Sequence, residues 1–237
     1  MFGAMPKPHR IASAQHLEDA FTALAAADRR LKAVLAEISR PKFVPRRKHG
    51  FEELVSIVVS QQLSGAAADT IFGRVKDKVV PFDPPTLLAT DAAILRACGL
   101  SAPKQKHMKT IAAAILDGSL DLKRVRNLLD DDARAHLTAV KGIGPWTADV
   151  YLMSSLGRAD MWPVGDVSLQ AAVQLVLGLR KRPNEKQMEK LSQTWRPWRT
   201  VAARILWIHW DGLRQQKRDA AKAKLKKTAK QKKKGKA

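Results

Sequence analysis

Apolar residues recur along most of this chain at the helical period. Leu17, Phe21, Leu24, Leu31, Leu35 and Ile38 are spaced by three, four and seven residues, which predicts one amphipathic helical stretch ended by Pro41 and Pro45. Residues 41–49 (PKFVPRRKH) read as a basic linker. A second long segment covers 51–79, with 54–59 as its buried part and Gly65 as a break. Pro81, Pro84 and Pro85 interrupt it. A helix then runs from about 86 to 98, stopped by Gly99, and another over 104–116, closed by Asp117-Gly118. Residues 121–139 read as two short helices separated by Asp130-Asp131-Asp132. A tight turn, Gly142-Ile143-Gly144-Pro145, precedes a helix from 146 to about 156. After a loop over 157–163, Asp166 opens a helix that ends at Gly178, and 197–214 form a final apolar helix. No run alternates with the period of two that a half-buried strand requires, and no fixed-period repeat occurs, so the expected fold class is all-α.

Charge changes this picture. The net charge is +21, of which residues 217–237 carry +10 through eleven Lys/Arg against Asp219 alone. The remainder is therefore basic as well, and a polyanionic partner follows. The tail is Lys/Ala-rich, has no apolar face to bury, and is expected to be disordered. With one cysteine, Cys98, neither an internal disulfide nor a four-thiolate cluster can form. Cys98 sits in an apolar run and reads as a small core residue. No window reaches the ~18 consecutive apolar residues of a membrane span, and residues 1–6 lack the pattern of a signal peptide. A protein without membrane association is expected, in the cytoplasm or nucleoid of a bacterium or the nucleus of a eukaryote. The six His show no metal-ligand spacing, so no side-chain metal site and no cofactor are expected.

The most informative segment is the turn at 142–145. Gly142 and Gly144 flank Ile143, and glycine permits the positive φ and close approach of a tight turn. Pro145 suits the first position of a helix. Backbone N–H groups at such a helix start face outward and can hold a phosphate, gripping a nucleic-acid backbone without reading its sequence. Downstream stands Pro163-Val164-Gly165-Asp166. Asp is favoured as a helix N-cap, so Asp166 taken alone reads as a cap.

Taken together, Gly142-Ile143-Gly144-Pro145-Trp146-Thr147-Ala148 and Pro163-Val164-Gly165-Asp166 resemble the helix-hairpin-helix (HhH-GPD) superfamily of DNA glycosylases. The resemblance implies that Lys141, Gly142, Ile143, Gly144 and Thr147 bind DNA, that hairpin carbonyls offer a place for a monovalent cation, and that Asp166 is catalytic. Breaking an N-glycosidic bond builds positive charge on the deoxyribose, which a fixed carboxylate stabilises while positioning a water. The base must first leave the stack. Bifunctional members carry a Lys amine where this chain has Trp146, and an indole cannot form a Schiff base. A monofunctional enzyme is expected; a lyase using Lys141 is one rival, and a non-enzymatic hairpin DNA-binding protein is another.

Two further stretches, Ser60-Gln61-Gln62-Leu63-Ser64 and Trp195-Arg196-Pro197-Trp198-Arg199-Thr200 with Leu206-Trp207, are similar to the compact form of the 3-methyladenine DNA glycosylase II branch. That resemblance spans residues 50–210. It implies excision of 3-methyladenine and 7-methylguanine, and of etheno- or deaminated purines at the edge of the range. Trp146, Trp207 and Tyr151 would line the base pocket, since indole faces attract a flat cationic purine by ~0.5–2 kcal/mol each. Gln62 or Leu63 would fill the gap left by the flipped nucleotide, with Ser64 beside them. The implied architecture is two helical subdomains, 1–48 plus 160–216 and 49–159, with a cleft between them, in a monomer acting on damaged double-stranded DNA.

Overall fold

The computed structural model describes residues 9–41 and 49–234, with the backbone alone over 223–234. Most of the basic linker proposed at 41–49 lies outside the described residues. The chain is all-α: thirteen α-helices and a 3-10 turn, and no strand among the described residues. The single stretch expected over 17–38 is two helices, α1 (Ala14–Ala27) and α2 (Arg29–Glu37). Asp28 separates them because its carboxylate caps the Arg30 amide and also accepts the Trp195 indole N–H at 3.2 Å. The apolar spacing is continuous across that break, so hydrophobic period alone does not reveal it.

The middle of the chain forms α3 (Phe51–Ser60), α4 (Gly65–Lys78), α5 (Pro84–Ala89), α6 (Ala92–Ala97) and α7 (Ala102–Leu116). The helix expected at 86–98 is thus two, because Asp91 caps a new start at Ala93 N–H. Helices α8 (Leu122–Asn127) and α9 (Asp130–Thr138) follow, with Asp130, Asp131 and Asp132 forming the first turn of α9 rather than a separator. Carboxylates are favourable there against the helix dipole. Cys98 is buried, its thiol on the Arg74 carbonyl.

Helix α10 (Pro145–Ser154) packs on α9 and α3, closing the group α3–α10. Helix α11 (Val167–Val176), α12 (Glu185–Ser192) and α13 (Arg199–Lys234) pack with α1 and α2 as a second group. Helix α12 has too few apolar positions for its period to announce it, yet its start is written in a capping box between Asn184 and Gln187. The disorder expected over 217–237 is not what the described backbone shows, since α13 continues to Lys234. Its first turns are nucleated by buried Val201, Ala202, Ala203, Ile205 and Leu206, and Ala, Lys, Gln and Leu then propagate the helix at little cost.

A fully buried guanidinium ties the two groups together. Arg158 donates to Asp130 Oδ1 at 2.7 Å and to the carbonyls of Val125 and Leu128, satisfying the end of α8 and the start of α9. Burial pushes its pKa down, and Asp130 opposes that shift. The Arg158 carbonyl in turn accepts the Thr200 hydroxyl at 2.7 Å, which anchors α13.

Candidate active site

The site is built where the two groups meet. The strand of chain entering it is pinned residue by residue. Asp160 is forked by Arg199, with Nε at 2.8 Å and Nη2 at 3.0 Å. Trp162 is in the core, its indole N–H on the Met188 carbonyl and its ring edge-on to Trp195. The Asp166 amide returns to the Pro163 carbonyl at 2.9 Å, and Gln170 holds the Val164 carbonyl. Asp166 is thereby delivered as the N-cap of α11, where Oδ1 accepts the Leu169 amide at 2.7 Å.

The cap is also the centre of the site. Trp146, in the first turn of α10, donates its indole N–H to Asp166 Oδ2 at 2.7 Å. Trp207, from α13, donates to Oδ1 at 3.2 Å. The carboxylate is half-buried and bracketed by the edges of two half-buried indoles. Its oxygens offer about four lone-pair sites, and three donors occupy them, which leaves one on Oδ2 for a water or a substrate atom. The structure thus brings Asp166, Trp146 and Trp207 together.

It does not bring Tyr151 with them. Tyr151 is fully buried, beside the Gly50 backbone, and burial pushes its phenol up to about 12. Helix α10 packs on α3 and α9, and buried Tyr151 presents no surface to a substrate in this structure. Thr147 is also buried, and its hydroxyl accepts the Gln61 side-chain amide at 2.8 Å. Its side chain therefore does not reach a DNA strand. Ile143 is a core residue, whereas Lys141 and Gly144 are exposed. Gly142 takes φ +103°, the left-handed region that the turn needs. Helix α10 begins without a capping side chain, so the amides of Trp146 and Thr147 have no side-chain acceptor, and an anion can take that place.

The turn between α3 and α4 presents exposed Gln62 and Leu63, the latter with 39% of its surface open. Gln62 sits at φ +60°, the one non-glycine residue with positive φ among the described residues. Ser64 is the N-cap of α4, accepting from the Ala67 amide. Sequence reasoning missed Lys104, a neighbour of this turn, and gave Gln61, within the stretch from Ser60 to Ser64, no role of its own. The Lys104 ammonium donates to the carbonyls of Val59 and Gln61, both at 2.7 Å, and burial pushes its pKa down. It missed Asp149 as well, a buried carboxylate on α10 paired with Arg134 at 2.7 Å. No group of His, Cys, Asp and Glu suited to a metal ion occurs among the described residues. No helix among them is long and apolar enough to cross a membrane.

These features define a helical protein with a glycine hairpin, whose helix start has no capping side chain, beside a carboxylate flanked by indoles. The family described as HhH-GPD superfamily base excision DNA repair protein matches residues 55–197. The chain is 37% identical over 172 residues to DNA-3-methyladenine glycosylase 1 of Schizosaccharomyces pombe, covering 71% of this chain and 75% of that protein. A solved Schizosaccharomyces pombe 3-methyladenine DNA glycosylase in complex with abasic DNA superimposes with a TM-score of 0.70 at 32% identity, over 80% of this chain and 95% of that one. A DNA-3-methyladenine glycosidase from Bacillus halodurans gives 0.68 at 29% identity, over 89% and 95%. The chain belongs to the HhH-GPD superfamily of base excision DNA repair proteins and is a DNA glycosylase.

Proposed function

We propose that this glycosylase is monofunctional and excises alkylated purines, 3-methyladenine and 7-methylguanine, from duplex DNA with Asp166 as its catalytic carboxylate. The observation that carries the reading is the hold of two indole N–H groups and one backbone amide on Asp166. Three donors fix the carboxylate before substrate arrives, so little reorganisation accompanies charge development on the sugar. The free lone pair on Oδ2 serves either to orient a water or to face the oxocarbenium-like sugar.

Substrate class follows from what surrounds that carboxylate. An alkylated ring nitrogen makes the purine both cationic and a good leaving group. Trp146 and Trp207 supply π-faces for a cation, and the site needs no strong general acid. The names of the relatives point the same way, because both Schizosaccharomyces pombe and Bacillus halodurans proteins are called 3-methyladenine enzymes. Monofunctional chemistry follows from Trp146, which has no amine to attack the sugar.

The test is release of free bases from methylated duplex DNA by wild type and by Asp166→Asn. Wild type is expected to release 3-methyladenine and 7-methylguanine. The variant is expected to bind the same duplex and to be slowed by about 10²- to 10⁴-fold. Equal rates for the two proteins would remove Asp166 from catalysis. A wild type that releases neither base would overturn the substrate class.

A further inference from the structure

We propose that Gln61, Thr147 and Lys104 form a positioning device that locks the 61–64 turn to the hairpin helix, so that entry of the turn into the duplex and presentation of the flipped base to Asp166 are coupled. The proposal rests on the reading of this protein as a base-flipping glycosylase. None of the three residues touches the carboxylate; each acts through another.

The turn needs such a device. It bends sharply between two helices, holds Gln62 in a left-handed conformation, and exposes an apolar side chain at its tip. A non-glycine residue at positive φ persists only where its surroundings hold it. On one side the Lys104 ammonium holds the Val59 and Gln61 carbonyls at the end of α3. Those carbonyls have no partner further along the helix, and a cation is favourable at a helix C-terminus. On the other side the Gln61 amide reaches Thr147 Oγ1 at 2.8 Å, a bond between residues 86 positions apart.

Thr147 is the residue next to Trp146, in the first turn of α10, and is 1% exposed. A continuous path therefore runs from the exposed tip at Gln62 and Leu63 through Gln61, Thr147 and Trp146 to Asp166. Its two covalent stretches are the turn itself and the rigid start of a helix. A turn pushed into the base stack is held at fixed height relative to the carboxylate. Misplacement by about 1 Å can cost about 10²-fold in rate, so a single bond that fixes this height is worth keeping.

The test compares Thr147→Val, which keeps the shape and removes the hydroxyl, with Thr147→Ser, which restores it. Gln61→Met, at a partly exposed site, serves where Thr147→Val lowers the melting temperature. One probe is a duplex with a tetrahydrofuran abasic analogue opposite 2-aminopurine, whose fluorescence rises when a side chain enters the gap and unstacks it. The second is single-turnover base release from methylated duplex. Thr147→Val and Gln61→Met are expected to lose most of the fluorescence rise and about tenfold in release rate. Their affinity for undamaged duplex should stay within about twofold of wild type, and Thr147→Ser should recover both readouts. Variants that keep the fluorescence rise and the release rate would overturn the proposal. So would losses matched on undamaged duplex, which would mark the bond as part of the fold alone. A wild type that gives the fluorescence rise, abolished by Thr147→Val, but releases no alkylated base supports the device while sinking the alkylpurine reading.

Discussion

The indole N–H of Trp146 lies 2.7 Å from Asp166 Oδ2, while that of Trp207 lies 3.2 Å from Oδ1. The shorter bond joins the hairpin helix to the cap of α11, and so joins the two helical groups at the carboxylate. Trp146→Phe keeps a flat π-face and removes the donor. Hydrogen bonds to charged groups contribute about 1.5–3 kcal/mol, so single-turnover excision is expected to slow by about 10- to 100-fold. Trp207→Phe should slow it less. Parallel single-turnover assays on methylated duplex check this. A larger loss for Trp207→Phe would mean that stacking against the base, not orientation of Asp166, dominates.

The two hairpin glycines separate fold from binding. A Cβ on Gly142 would stand 2.7 Å from the His107 Cβ at φ +103°. The dihedral alone costs about 1–3 kcal/mol, and the clash adds to it. A Cβ on Gly144 would meet nothing within 4 Å. Gly142→Ala is therefore expected to lower the melting temperature by several degrees, and Gly144→Ala to leave it unchanged. If the space outside Gly144 is where a phosphate approaches, Gly144→Ala should still weaken duplex binding. An unchanged Kd for Gly144→Ala would place the DNA strand elsewhere.

What the sequence made legible is the short-range part of this architecture. The hairpin glycines, Pro145 and the Asp166 cap are local signals, and the helical period located most elements. The pairing of Trp146 with Asp166 became legible only through resemblance to a family, because nothing in either segment shows that the other is near. Tyr151 and Thr147 illustrate the limit. Both lie on α10 close to Trp146, and helical phase turns each of them into the interior against α3. Lys104 carried no local signature, and Gln61, inside the stretch from Ser60 to Ser64, carried none that pointed to its partners. Their partners are backbone carbonyls and a hydroxyl more than forty residues away, set by tertiary packing. Asp28 was hidden for a simpler reason: apolar residues continue in phase on both sides of the break it makes.

Asp149 gives the fold a pH dependence. Burial raises its pKa to about 6 from the ordinary 3.8, although Arg134 pulls the other way. The folded form therefore holds a proton more tightly than the unfolded chain between pH 4 and 6. The stability from this group is fully present below about pH 4 and is lost as pH rises through about 6. Melting temperatures of wild type and Asp149→Asn, measured from pH 4.5 to 7.5, isolate it. The difference, wild type minus variant, should shrink as pH rises. A flat difference would mean that the Arg134 pair offsets burial completely.

The basic tail continues α13, the helix that also carries Trp207 into the site. Residues 217–237 hold eleven of the 43 Lys and Arg, so they can account for a sizeable share of phosphate neutralisation. Two results are expected. Removing 217–237 should flatten the slope of log Kd against log salt by about 0.9 for each phosphate that is no longer neutralised. Excision at saturating enzyme should stay unchanged, because Trp207 and Asp166 remain. An identical salt slope for both proteins would reduce the tail to a solvated appendage and leave the hairpin as the main electrostatic grip.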